Sequence, residues 1–303
     1  MTASLQYFST LWSGVAPALA DHLWQSTLVA AAAGLLTLAL RNNSARVRYS
    51  LWLAASLKFL IPFSLLVAVG SQFSWRHLSA APASGTVLIQ EFGQPFTQTS
   101  PLTRAAGPIA ASTSQIHWLP VLLGLWLVGF LVVLGLWAAR WWRVAAAIRE
   151  STPLTEGREL SALRRLKSLA GTPRPMDILL SRASLEPGVF GILRPVLLWP
   201  HSISEHLDDE HLSAVIAHEL CHVRRRDNLA AVLHMLVEAV FWFHPLVWWM
   251  GARLIEERER ACDEAVLELG GRRNVYAESI LKVCEFCLSS PLTCVSGVTG
   301  SDL

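Results

Sequence analysis

Acidic side chains are almost missing from the first 139 residues, where Asp21 and Glu91 stand beside only six Lys/Arg, about 6% charged in all. Residues 140–303 carry nineteen Lys/Arg and twenty-one Asp/Glu, about 24%. Charge is scarce overall, 16% of 303 residues against 52% apolar, with a mean hydropathy of +0.40. That balance excludes a disordered chain and an ordinary soluble domain, and it makes the first part lipid-embedded and the second mostly water-facing. Long runs of one charge are missing too, and the net charge is +2, so direct nucleic-acid binding through phosphate neutralisation is excluded. Cysteine is sparse and odd in number: Cys221, Cys262, Cys284, Cys287 and Cys294 all fall in the charged part, which excludes an extracellular disulfide framework and suits a reducing compartment. The first twenty residues lack the positive start of a cleaved signal peptide.

What is present begins with three apolar stretches, about residues 23–40, 51–70 and 119–139, each near the twenty residues a bilayer core requires and each expected to be helical. Arg41, Arg46 and Arg48 lie between the first two, and Arg140, Arg143 and Arg149 follow the third, whereas the loop 71–117 holds only Arg76 and Arg104. The positive-inside rule then puts the amino terminus and the long loop outside, and the short Arg loop and everything after Arg140 in the cytoplasm of a multi-pass inner-membrane protein. Trp24, Trp52, Trp75, Trp118, Trp137, Trp141 and Trp142 sit near the span ends, as interfacial aromatics do. Lys58, inside the second span, is expected to snorkel towards the inner surface.

The chemistry concentrates in His218-Glu219-Leu220-Cys221-His222. Asp208 or Asp209 can cap a helix on which Leu212, Val215, Ile216 and Leu220 recur at helical spacing, and residues four apart share a face, so both imidazoles can reach one ion. Zinc suits these ligands, and Glu219 is placed to take a proton from water. A third ligand is expected from a second helix in residues 253–266. Glu259 is chosen because Asp263 lies one turn on, where it can accept a hydrogen bond from a ligating His, while Glu256 and Glu257 remain substitutes.

Between the two helices, residues 229–251 are almost unbroken in apolarity, yet a full crossing would part Glu259 from the histidines. His244-Pro245 interrupts the run, so a helical turn-back is expected, buried in the domain or dipped into the inner leaflet. His234, Glu238 and His244 in this run are read as buried structural groups, Cys221 as a packing residue, and Cys284 and Cys287 as buried helix cysteines. Residues 176–180 and 187–200 read as a small hairpin or sheet, either purely structural or offering an edge strand to an extended peptide.

The three amino-terminal spans, Pro187 to Pro200, the H-E-L-C-H-x-x-R-R-D run from His218 to Asp227, the F-W-F-H-P-L-V-W-W run from Phe241 to Trp249 and the E-R-E-R-A-C-D-E run from Glu257 to Glu264 together resemble the BlaR/MecR-type antirepressor family of membrane zinc metallopeptidases. The resemblance implies a mainly α architecture, a multi-span helical membrane domain (1–139) followed by a cytoplasmic gluzincin-like α+β metallopeptidase domain (140–303). It also implies that His218, His222 and Glu259 bind zinc, that Glu219 is the base, and that the substrate is a cytoplasmic protein such as a transcriptional repressor, or the chain itself. Membrane lipid and a second copy of the chain are the other expected partners. Family members of the beta-lactam type carry a further span and an outer penicillin-binding sensor after the peptidase. Nothing of that kind precedes Leu303, which leaves a truncated form or a member with another input as the expectations. Two other readings compete: an HtpX-like or CAAX-prenyl-protease-like quality-control protease, and a signalling scaffold without catalysis.

Overall fold

The computed structural model describes residues 2–62, 95–96, 118–170, 175–181 and 186–289. Residues 63–70 of the second proposed span, nearly all of the loop 71–117, and Cys294 lie outside them. Two described helices are long and apolar enough to cross a membrane. One is the stretch Val15–Ala39 of α1 (Thr2–Ala39), and the other is Pro120–Glu150 of α3 (Trp118–Glu150), in whose most apolar window no residue is buried inside the protein. A surface that apolar is stable only in contact with lipid or another apolar body. Between them, α2 (Ala45–Leu60) spans only 16 described residues and is half-buried, with Tyr49, Trp52, Ala55 and Phe59 turned into the protein. Lys58 lies in its last turn and reaches Ser26 of α1 at 3.3 Å. Its ammonium is thus held sideways by a hydroxyl of the neighbouring helix.

The charged part opens with β1 (Thr152–Pro153) and α4 (Arg158–Ala170), followed by β2 (Asp177–Ser181), β3 (Gly188–Phe190) and β4 (Val196–Pro200). These strands form one sheet in the order β1-β2-β4-β3, parallel only between β2 and β4, which leaves β3 at an edge. A short α5 (Ile203–His206) leads to α6 (Asp209–Arg225). Asp208 caps α6, accepting from the backbone N–H groups of Glu210 (3.0 Å) and His211 (2.9 Å). Leu212, Val215, Ile216, Leu220 and Val223 form the apolar stripe of α6 and pack with Ile178, Leu197 and Trp199 of the sheet. The opposite stripe, Ala217 and Cys221, packs with Cys262, Val266 and Tyr276. With both flanks held, the rotation of α6 about its axis is fixed.

The apolar run after α6 does turn back. Helix α7 (Asp227–Val240) ends in the turn at Phe241–His244, and Pro245, preorganised for a first helical position, opens α8 (Pro245–Glu268). The tip of this hairpin touches α1 through His244 Nε2 and Thr27 Oγ1, 3.2 Å apart. Thr27 is twelve residues, or about 18 Å of helix, from the Ala39 end of α1. The hairpin thus runs beside α1 to the middle of that candidate span and returns. His234 is buried, as read from the sequence, with Nδ1 2.8 Å from Ser56 Oγ of α2 and Nε2 3.2 Å from Glu238, whereas Glu238 and His244 are only half-buried. Helix α9 (Arg273–Ser289) closes the described chain against α6.

Candidate metal centre

Helix α6 presents His218 and His222 one turn apart, with their Nε2 atoms 3.2 Å from each other. Helix α8 brings Glu259 to the same point, its Oε2 lying 3.3 Å from His218 Nε2 and 3.6 Å from His222 Nε2. Ligand atoms of the three residues all fall within 4.8 Å of one another, a donor set and spacing that fit one divalent ion of zinc type. The other two candidate acids, Glu256 and Glu257, turn elsewhere. Glu256 pairs with Arg253 (2.6 Å) and Arg260 (2.5 Å) on the surface, and Glu257 is buried against Arg48 of α2 at 2.8 Å.

Every remaining polar atom of the triad has a partner that aims it. His222 Nδ1 donates to Asp227 Oδ2 at 2.8 Å, and Asp227 is 2% exposed. Arg226 makes that contact possible: it sits in the left-handed region (φ 60°), where a non-glycine residue costs about 1–3 kcal/mol, and it breaks α6 from α7 so that Asp227 folds back on His222. His218 Nδ1 donates to the hydroxyl of Tyr276 (2.8 Å), which in turn donates to Asp263 Oδ1 (2.6 Å). Asp263 Oδ1 itself lies 3.5 Å from His218 Nδ1, and the Tyr276 hydroxyl bonds to both. Arg258 holds Glu259 Oε1 through Nε (2.9 Å) and Nη2 (2.6 Å), leaving Oε2 turned to the histidines. Tyr276, Asp227 and Arg258 are contributions that the sequence alone did not reveal.

Electrostatics follow from this geometry. Burial disfavours a charged His218, but the carboxylates of Asp263 and Glu259 beside it outweigh this and lift its pKa to about 10. Burial likewise opposes the charged form of Glu259, and His218, Arg258 and His222 reverse this, holding the carboxyl well below the usual range. Glu219, in the interval between the two histidines, is pushed up by burial. Cys262 Sγ lies 3.4 Å from His222 Nδ1, but burial drives its thiol far up, so it packs as a neutral group and is a poor competing ligand. Cys221 is a buried packing residue, as read; Cys284 is exposed, contrary to the expectation of a buried residue.

A cleft of about 720 Å³ opens on these groups. Its floor carries His218, Glu219, His222 and Glu259. One wall is β3 (Gly188–Phe190), another is Tyr276, Ile280 and Val283 of α9, and a third is the far end of α3, at Arg143, Val144 and Ala147. The lining is mainly apolar, with polar groups around the triad and the charged Arg143, Glu150 and Glu186 towards α3 and β3. Asn228, the second residue of α7, donates to the carbonyls of Val189 and Gly191 at 3.0 Å each and so fixes β3 beside the triad.

Fold and site together define a mainly helical protein with two membrane-length helices and a His-Glu-x-x-His helix completed by a glutamate from a second helix. The chain belongs to the BlaR1 peptidase M56 family, whose model matches residues 21–301. Among individual relatives it is 38% identical over 109 residues to "Regulatory protein BlaR1" of Bacillus licheniformis, covering 35% of this chain and 18% of that protein. It is 32% identical over 98 residues to "Methicillin resistance mecR1 protein" of Staphylococcus aureus (strain Mu50 / ATCC 700699) and to the protein of that name from Staphylococcus epidermidis, covering 32% of this chain and 17% of each. The matched stretch thus spans less than a fifth of these relatives.

Proposed function

We propose that the protein is a membrane-anchored zinc metalloendopeptidase that cleaves a peptide bond at the cytoplasmic face, acting in signal transduction on a transcriptional repressor or on its own chain. The observation that carries this reading is the meeting of His218, His222 and Glu259 on the floor of a cleft large enough for a peptide, with Glu219 beside them. His218 Nε2, His222 Nε2 and Glu259 Oε2 would hold the ion. Zinc bound there supplies Lewis acidity to the scissile carbonyl and to the attacking water.

The chain's own residues do the rest. Glu219, raised by burial, accepts the proton of the attacking water and passes it to the leaving amine. Asp227 and the Tyr276–Asp263 pair keep both imidazoles in the tautomer that frees Nε2. Gly188–Phe190, at the sheet edge and on the cleft wall, offers an extended peptide a strand to lie along, and the aliphatic walls exclude water from the bond being cut. The arginines flanking the helices support a cytoplasmic position for this cleft by charge asymmetry.

The test is purified full-length protein in detergent. It should carry about one zinc per chain. Glu219→Gln should keep the metal and lose at least about a hundredfold in hydrolysis of repressor-type substrates or of its own chain. Undiminished cleavage by that variant would exclude Glu219 as the base.

A further inference from the structure

The site's polar connections continue into α2, where two residues are linked to two different ligands through intermediate side chains and the α8 backbone. Arg48 Nε pairs with Glu257 at 2.8 Å with both side chains buried, and its Nη1 also donates to the carbonyls of Arg41 and Asn43. Two helical turns further along α8, the carboxylate of Glu264 accepts the backbone N–H of Ala45 (2.9 and 3.1 Å), the first residue of α2. Residues seven apart share a helix face, so Glu257 and Glu264 form the α2-facing side of α8 while Glu259 and Asp263, between them in sequence, occupy the side at the metal centre. The α2 anchors thus bracket the third ligand.

The second connection passes through Arg225. Its guanidinium carbon lies 4.7 Å above the centre of the Tyr49 ring, a cation–π contact, and its Nη2 has no hydrogen-bond partner. Its Nε lies 3.5 Å from Asp227, the carboxylate that aims His222, and its Nη1 donates to the carbonyl of Arg258 at 3.1 Å, the residue that grips Glu259. Apolar packing by Trp52, Ala55 and Phe59 already fastens α2 to the protein. A buried ion pair adds little net stability to such a joint but does fix its geometry.

We infer that Arg48 and Tyr49 are positioning residues of the metal centre, through which α2 sets the placement of Glu259 and His222. This rests on the metal-site reading above.

The probe is cobalt(II) added to the full chain in detergent, read by its visible d–d absorption and by competition with a chelator. Wild type should bind about one ion. Arg48→Met combined with Glu257→Leu replaces the buried pair by apolar side chains and should fold, yet bind cobalt roughly 10–100-fold more weakly with an altered spectrum, the effect expected of groups that support ligands. Tyr49→Leu should do the same, whereas Tyr49→Phe, which keeps the ring face, should match wild type. Folded variants with wild-type spectrum and affinity, or Tyr49→Phe behaving like Tyr49→Leu, would overturn the inference. A wild-type chain that binds no cobalt sinks the metal centre itself, and this inference with it.

Discussion

Asp227 holds His222 from behind, its Oδ2 lying 2.8 Å from the Nδ1 that does not face the metal position. The pair is made by a backbone break at Arg226 and is almost fully buried, so its geometry has little slack. Asp227→Asn keeps the shape but removes the charge that favours an Nδ1–H tautomer. The expected result is a metal affinity lowered about 10–100-fold with the fold retained, measured by chelator competition. Unchanged affinity would mean that His222 is oriented by packing alone.

Tyr276 does for His218 what Asp227 does for His222, with one more bond in the chain. Burial and the neighbouring Asp263 both push its phenol far above the usual range, so it remains a neutral donor at any working pH. Tyr276→Phe should leave His218 Nδ1 facing Asp263 across 3.5 Å without a bridge, weakening metal binding less than Asp227→Asn does, because Asp263 can close on the ring. Comparing the two variants in the same competition assay tests that order, and an equal or larger loss for Tyr276→Phe would reverse it.

How far the site could be read from sequence follows from where its contacts are made. His218, Glu219 and His222 are legible because helical spacing alone puts the imidazoles together. Glu259 is legible only in competition with Glu256 and Glu257, and it is the rotation of α8, fixed by packing against α2 and α6, that turns it and not its neighbours inward. Asp227 lies five residues past His222, beyond a helix end, and reaches it only because Arg226 is left-handed. Tyr276 comes from a helix with no metal-site motif of its own. The turn-back at His244-Pro245 was legible from proline chemistry, whereas the inward reach of Lys58 depends on Ser26 of another helix.

Metal uptake should depend on pH with a defined sign. His218 is raised in the folded, metal-free protein to about 10, so its interaction with Asp263 and Glu259 adds stability that is fully present below about 6.5 and is lost as pH rises through about 10. Metal needs the neutral imidazole, so each ion that binds below about 10 must displace that proton. The apparent affinity should therefore tighten by up to about tenfold per pH unit between about 7 and 9, with about one proton released per ion, measured by calorimetry in buffers of different ionisation enthalpy. Binding without proton release would show that His218 is already neutral in the metal-free protein.

The hairpin that carries α8 into place is itself held by α3, and a glycine decides how closely. A Cβ on Gly129 would fall on the indole ring of Trp242 at the hairpin tip. That ring is engaged, since Trp242 Nε1 donates to the carbonyl of Trp126 (3.1 Å) while Trp126 Nε1 donates back to that of Val240 (3.0 Å). Gly129→Val must expel the indole and break the first of these bonds, at a cost of about 1–3 kcal/mol from overpacking. Gly135, six residues further along α3, has nothing within 4 Å of its Cβ position. Gly135→Ala should therefore be neutral or slightly stabilising through helix propensity. Thermal unfolding of the two variants in detergent, followed by tryptophan emission, should separate them by several degrees. Equal melting temperatures would show that Trp242 does not dock on Gly129, and α8 would then owe its position to α2 and α6 alone.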